Sequence, residues 1–213
     1  MKKIPRSSIR TKTLYAITPD ELDTEALLRK VRLALQGGAR IVQYRNKLAD
    51  AILRLDQATE LRRLTHEFAA TFIVNDDAGL SRRVDADGVH LGGEDGSIRT
   101  ARKLIGTDKL IGVSCYNRPD LAQQAEQEGA DYVAFGAFFA SAVKPGAVVA
   151  SLESLREARS RLTLPIVAIG GITLQNGAQL LAAGADVLAV ISAVFSAHDI
   201  EQTARQFSAL ADE

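Results

Sequence analysis

Short apolar runs recur along the chain, and each ends in polar, charged or glycine residues just past its last hydrophobic position. Val42 leads into Gln43-Tyr44-Arg45-Asn46-Lys47, and Phe72-Ile73-Val74 into Asn75-Asp76-Asp77. Val89-His90-Leu91 is followed by Gly92-Gly93-Glu94-Asp95, Val113 by Ser114, Val167-Ala168-Ile169 by Gly170-Gly171, and Val190-Ile191 by Ser192. These β-branched runs alternate with stretches of helical period. The pattern predicts strands near 13–17, 40–44, 71–75, 87–91, 110–114, 131–136, 165–169 and 186–191. Helices are predicted near 21–36, 49–69, 77–84, 96–104, 118–128, 151–161, 174–183 and 198–211. Runs such as Thr71-Phe72-Ile73-Val74 are apolar throughout rather than alternating, as strands covered on both faces are. In a parallel sheet the polar clusters converge on the carboxyl edge, where such folds build ligand sites.

The joints repeat. Gln36-Gly37-Gly38-Ala39, Glu128-Gly129-Ala130-Asp131 and Ala183-Gly184-Ala185-Asp186 each put glycine just beyond a helix, where a left-handed residue ends it. Eight strand–helix units predict a single-domain α/β protein, a closed (β/α)8 TIM barrel over residues 13–213. A doubly wound sheet fits less well, because no Gly-x-Gly-x-x-Gly follows the first strand. Residues 1–12 are polar and basic and read as a loose arm.

Composition narrows the partners. The 213 residues are 46% hydrophobic, enough for one sizeable core. Lys+Arg and Asp+Glu both number 26, so no overall field favours nucleic acid or an acidic membrane surface. A single cysteine, Cys115, excludes an internal disulfide and fits a reducing compartment. The basic start has no apolar stretch behind it, and no run approaches the ~20 residues of a membrane helix. A cytoplasmic protein is expected; the sequence leaves a homo-oligomer open.

Asp76 ends the third strand and Asp95 follows the fourth, so two carboxylates from neighbouring loops can face one another. Mg2+ takes one or two carboxylates and completes its shell with phosphate and water. The same residues could instead cap the helices that follow. Arg45 and Lys47, at i and i+2, join Asn75 to offer a fork, a point charge and an amide to a polyanion, and Lys144 can add a further charge. Gly170-Gly171 and Ile191-Ser192 occupy the usual barrel phosphate position after strands seven and eight. His90 points into either the barrel mouth or the core. No cluster has zinc-ligand spacing, and Ser114 has no base beside it in sequence.

Gln43-Tyr44-Arg45-Asn46-Lys47, Asn75-Asp76-Asp77, Ala86-Asp87-Gly88-Val89-His90-Leu91-Gly92, Gly112-Val113-Ser114, Asp131-Tyr132-Val133-Ala134-Phe135-Gly136, Val167-Ala168-Ile169-Gly170-Gly171-Ile172 and Ala189-Val190-Ile191-Ser192 together resemble the thiamin phosphate synthase family. They stand in that family's order and cover about residues 13–210. The resemblance implies a transferase that joins 4-amino-5-hydroxymethyl-2-methylpyrimidine diphosphate to 4-methyl-5-(2-phosphoethyl)thiazole and releases pyrophosphate. It implies Mg2+ on Asp76 and Asp95, and diphosphate contacts from Arg45, Lys47, Asn75, Ser114 and Lys144. Gln43 and His90 would line the pyrimidine pocket, and Ser141, Gly171, Ile191 and Ser192 would receive the thiazole phosphate. Departures lie in Ser141-Ala142-Val143-Lys144, where Thr-x-Thr-Lys is usual, at Ala140, at Gly93 where glutamine is common, and at Tyr116 where histidine is frequent. A thiazole tautomerase-like enzyme would not need the diphosphate set, and a barrel that only binds thiamin intermediates would not need the carboxylates.

Overall fold

Helices begin where the sequence offers a short polar side chain. Asp23, Asp50, Asp77, Ser97, Ser151 and Asp199 each accept the backbone N–H three residues on, which satisfies one of the amides a helix start leaves open. The computed structural model describes Ile9 and residues 13–93, 95–139 and 150–210. Its strands are β1 (Thr13–Ile17), β2 (Ile41–Tyr44), β3 (Thr71–Asn75), β4 (Gly88–Leu91), β5 (Leu110–Tyr116), β6 (Tyr132–Phe135), β7 (Ile166–Ile169) and β8 (Val187–Val190). Its helices are α1 (Thr24–Gln36), α2 (Ala51–Glu67), α3 (Ala78–Arg83), α4 (Ile98–Ile105), α5 (Pro119–Glu128), α6 (Leu152–Arg161), α7 (Gly177–Ala182), α8 (Ser192–Phe195) and α9 (Ile200–Ala209).

The strands pair in parallel and in chain order, and β8 closes on β1, giving the expected (β/α)8 barrel. At the three repeated joints the left-handed residues are Gly38, Gly129 and Gly184. Two features differ from the sequence-based expectation. β5 runs on to Tyr116 because its register with β6 shifts between Ser114 and Tyr116, a bulge that turns the strand outward. A four-residue helix, α8, is inserted directly after β8. Among the described residues no helix is long and apolar enough to cross a membrane.

Two apolar layers result. Side chains facing outward from the strands pack under the helices, with Phe72, Leu61, Leu27 and Phe207 fully covered. Inward-facing Tyr15, Ile41, Ile73, Leu110, Tyr132 and Val167 fill the barrel lumen. Ile9 is buried with this second cluster; the other residues of the expected arm lie outside the described residues.

One device recurs at the amino-terminal face. Asp87, Asp131 and Asp186 stand just before β4, β6 and β8. Each accepts an N–H from the first or second residue of the preceding odd strand, Phe72, Ile111 or Ile166, at 2.7–2.9 Å. Each also pairs with an arginine of the even-numbered helix that leads into that odd strand, Arg62 of α2, Arg102 of α4 or Arg159 of α6, at 2.5–3.2 Å. These clamps tie strand, helix and strand together at the end where barrels invest in stability rather than chemistry.

Candidate active site

The loop after β2 is braced from beneath. Gln57 of α2, fully buried, accepts from the Tyr44 hydroxyl at 2.9 Å and the Asn46 amide at 3.0 Å, and donates to the Glu21 carbonyl at 2.9 Å. Asp20 then holds the upper side. Its carboxylate accepts both from the Arg45 guanidinium at 3.2 Å and from the Lys47 N–H at 2.6 Å. Arg45 and Lys47 are thereby presented at the carboxyl-terminal rim. With Asn75 and Asp76 they line a cavity of about 40 Å³.

The two carboxylates lie next to these cations. Asp76 has φ +63°, a left-handed backbone that aspartate tolerates better than most residues, and its N–H donates to the His90 carbonyl. The Lys47 ammonium donates to its side chain. Asp95 reaches back to accept the Gly92 N–H at 2.8 Å; a Cβ on Gly92 would stand 2.6 Å from that oxygen, so the closure requires glycine. Partial burial and the adjacent Asp76 carboxylate hold the Asp95 carboxyl above its ordinary value. The capping alternative goes to other residues: Asp77 caps α3 and Ser97 caps α4. Asp76 and Asp95 are left facing one another, and both line an open cavity of about 410 Å³. Two convergent carboxylates suit a hard divalent cation that takes its remaining ligands from phosphate and water.

A chain of polar groups crosses the lumen below. Gln43 donates to the Tyr15 hydroxyl at 2.7 Å, which lies 2.9 Å from the Tyr132 hydroxyl. Tyr132 is 3.1 Å from His90 Nδ1, and His90 Nε2 is 2.9 Å from Ser114 Oγ. Burial holds both tyrosines well above the usual tyrosine range, so the hydroxyls stay protonated. Gly112 admits the Tyr132 ring, since a Cβ there would come within 2.0 Å of it. His90 therefore lies in the lumen, linking the mouth residue Ser114 to the core.

Gly170 and Gly171 follow β7 with φ +100° and +63°. A Cβ on Gly170 would meet Ala137 Cα at 2.5 Å, so that chain approach also needs glycine. β8 pairs with β7, which brings Ile191 and Ser192 to the adjacent rim position, with Ser192 opening α8. β1 lies between this end and β2 with its cationic loop. Ser141 and Lys144 lie outside the described residues.

Sequence reasoning missed Tyr15, Tyr132 and Gln57, which read as ordinary core or helix positions, and Asp20. Only Asp20 had a usable signal: Thr18-Pro19-Asp20 follows the first strand as the other polar clusters follow theirs.

A family profile described as thiamine monophosphate synthase matches residues 14–194, most of the barrel. The chain belongs to the thiamine monophosphate synthase family. It is 52% identical over 201 residues to a thiamine-phosphate synthase of Azoarcus sp., covering 94% of this chain and 98% of the relative. A thiamine-phosphate synthase of Methylobacillus flagellatus is 53% identical over 197 residues, covering 92% and 94%. Among solved structures, thiamine phosphate pyrophosphorylase from Pyrococcus furiosus superposes with a TM-score of 0.87 at 38% identity, covering 96% and 97%. Within the thiamine monophosphate synthase family, then, this chain carries the Arg45/Lys47 and Asp76/Asp95 sets on one side of β1 and the glycine pair on the other.

Proposed function

We propose that the chain couples 4-amino-5-hydroxymethyl-2-methylpyrimidine diphosphate with 4-methyl-5-(2-phosphoethyl)thiazole to give thiamin phosphate and pyrophosphate. The observation that carries this reading is the match of nearly the whole chain to relatives named thiamine-phosphate synthase at about half identity. The rim geometry supports it. Asp76 and Asp95 would hold Mg2+, which when bound supplies Lewis-acid stabilisation of the departing diphosphate charge. Arg45, Lys47, Asn75, Ser114 and Lys144 would contact the diphosphate, the fork and point charges sharing its negative charge. Gln43 and His90 would orient the aminopyrimidine. Ser141, Gly171, Ile191 and Ser192 would take the thiazole phosphate.

In the reaction the bond between the pyrimidinylmethyl carbon and the diphosphate oxygen breaks, and its electron pair leaves with pyrophosphate. The electron-rich aminopyrimidine delocalises the cation until the thiazole nitrogen lone pair forms the new C–N bond. No strong base or enzymatic nucleophile is needed, in keeping with a lumen chain of uncharged tyrosines, amide and hydroxyl. Holding both fragments in register supplies the rest of the advantage. The partners are small molecules, without nucleic acid or membrane. We place the reaction in the cytoplasm, in keeping with one buried cysteine, Cys115, whose thiol burial pushes up to about 12.

The test is a mass-spectrometric assay with both substrates and Mg2+, with and without EDTA. Thiamin phosphate formed only with free metal is the expected result. No product from demonstrably folded protein would overturn the synthase reading in favour of isomerisation or simple binding of a thiazole phosphate.

A further inference from the structure

We infer that Tyr116 is a positioning residue for the acidic side of the site: its hydroxyl tethers the loop after β4 so that Asp95 is held against Asp76. The proposal rests on the metal reading above. Its basis is the placement of one side chain. Tyr116 ends β5 just past the register shift, with φ +55°, a left-handed backbone that is uncommon for a bulky aromatic residue. That backbone turns the phenol across to the neighbouring loop, where its oxygen accepts the Gly93 N–H at 3.2 Å. Gly93 leaves the space for it: a Cβ there would lie 3.1 Å from the Tyr116 oxygen and within 3.8 Å of two ring carbons. At its other end Tyr116 accepts the Gly136 N–H on its carbonyl at 2.9 Å, which anchors it to the end of β6.

The need for a tether follows from charge. Asp95 and Asp76 repel, and Asp95 follows Gly92 and Gly93 and precedes Gly96, residues that resist displacement weakly. Lys47 binds Asp76 directly, whereas Asp95 has the Gly92 N–H and only the more distant Lys47 charge to offset that repulsion. A second attachment at the adjacent Gly93, from a residue fixed by β5 and β6, keeps the carboxylate from swinging into solvent.

The test compares wild type with Tyr116→Phe, which keeps the ring and removes the acceptor, and with Gly93→Ala, which crowds it. Hydrogen exchange is followed at Gly93, and Mn2+ affinity is read by electron paramagnetic resonance in the presence of pyrophosphate. Tyr116→Phe is expected to exchange faster at Gly93 and to weaken Mn2+ by about three- to tenfold, the worth of one hydrogen bond. Turnover should recover at high Mg2+, a response that a merely structural lesion would not give. In the Gly93→Ala background Tyr116→Phe should cost less, since the two act on one contact. Wild-type exchange and Mn2+ affinity in Tyr116→Phe would overturn the role of Tyr116. A wild-type protein that binds no Mn2+ would instead overturn the metal reading, and this proposal with it.

Discussion

Asp131 offers the sharpest test of where the barrel keeps its stability. Its side chain is 10% exposed and that of Arg102 is 22% exposed, so the pair is largely withdrawn from water. Replacing Asp131 by alanine strands two groups. The Ile111 N–H loses a 2.9 Å acceptor in a buried setting, worth about 1–3 kcal/mol. Arg102 loses its counter-ion but keeps the Gly106 and Gly129 carbonyls at 3.2 Å, so its loss falls below the ~3–5 kcal/mol of a fully buried broken pair. The sum for Asp131→Ala is about 2–4 kcal/mol, or a melting temperature lower by about 4–16 °C for a chain of this size. Asp131→Asn keeps an acceptor for Ile111 and removes only the charge, so it should cost roughly half as much. Urea unfolding measures both, as a lower midpoint at unchanged slope. At temperatures where the variants are folded, their kcat should equal wild type, because the clamp lies at the face opposite the site. Equal losses for Ala and Asn would show that charge alone matters, and a loss below about 1 kcal/mol for Ala would refute the clamp.

The carboxylate at the other face should behave in the opposite way: with EDTA present, Asp95→Asn removes a like charge beside Asp76 and should stabilise the fold by about 0.2–1 kcal/mol in thermal melts, while Mg2+-dependent turnover falls by orders of magnitude. An Asp95→Asn protein that is less stable than wild type, or as active, would contradict that pairing. Ser192→Ala should raise KM for the thiazole phosphate by about three- to tenfold with kcat little changed, and an unchanged KM would displace Ser192 from that subsite. Tyr132→Phe breaks the link between Tyr15 and His90 and should cost about 1–3 kcal/mol in urea unfolding, with a lower kcat because His90 loses the bond that orients it toward Ser114. Tyr15, Tyr44 and Tyr132 are all held above the usual range by burial, whereas unfolded tyrosines ionise near about 10. The unfolded chain therefore loses these protons first, stability falls as pH rises above about 10, and their tyrosinate absorbance should arrive together with unfolding rather than before it.

How far the sequence could be read depended on whether a residue's role is local. The barrel was legible because apolar runs, helical periods and the glycine joints that end helices are all patterns along the chain. The rim residues Arg45, Lys47, Asn75 and Asp76 were legible because a parallel strand delivers whatever follows it to the same edge. The division of labour within Asn75-Asp76-Asp77 was not. Either aspartate could cap α3, and only the left-handed backbone at Asp76, which turns that carboxylate toward Lys47, decides that Asp77 is the cap. His90 was undecided between mouth and core for a similar reason. Tyr132 and Ser114, which its ring nitrogens meet, lie 42 and 24 residues away in the chain.

The contrast between the two faces explains why the missed residues cluster where they do. At the amino-terminal face Asp87, Asp131 and Asp186 each meet an arginine and a backbone N–H, so charge, burial and hydrogen bonding agree. At the carboxyl-terminal face two carboxylates are brought together against their repulsion, and the arrangement is maintained by residues with no chemistry of their own to announce them. Asp20 aims Arg45 and Lys47, Gln57 locks the loop beneath, Gly92 makes room for the Asp95 carboxylate, and the Tyr15–Tyr132 pair carries His90 to Ser114. All but Gly92 work through a partner that is distant in the chain. A site that holds like charges together needs such supports, and they become visible only once the strands are placed side by side.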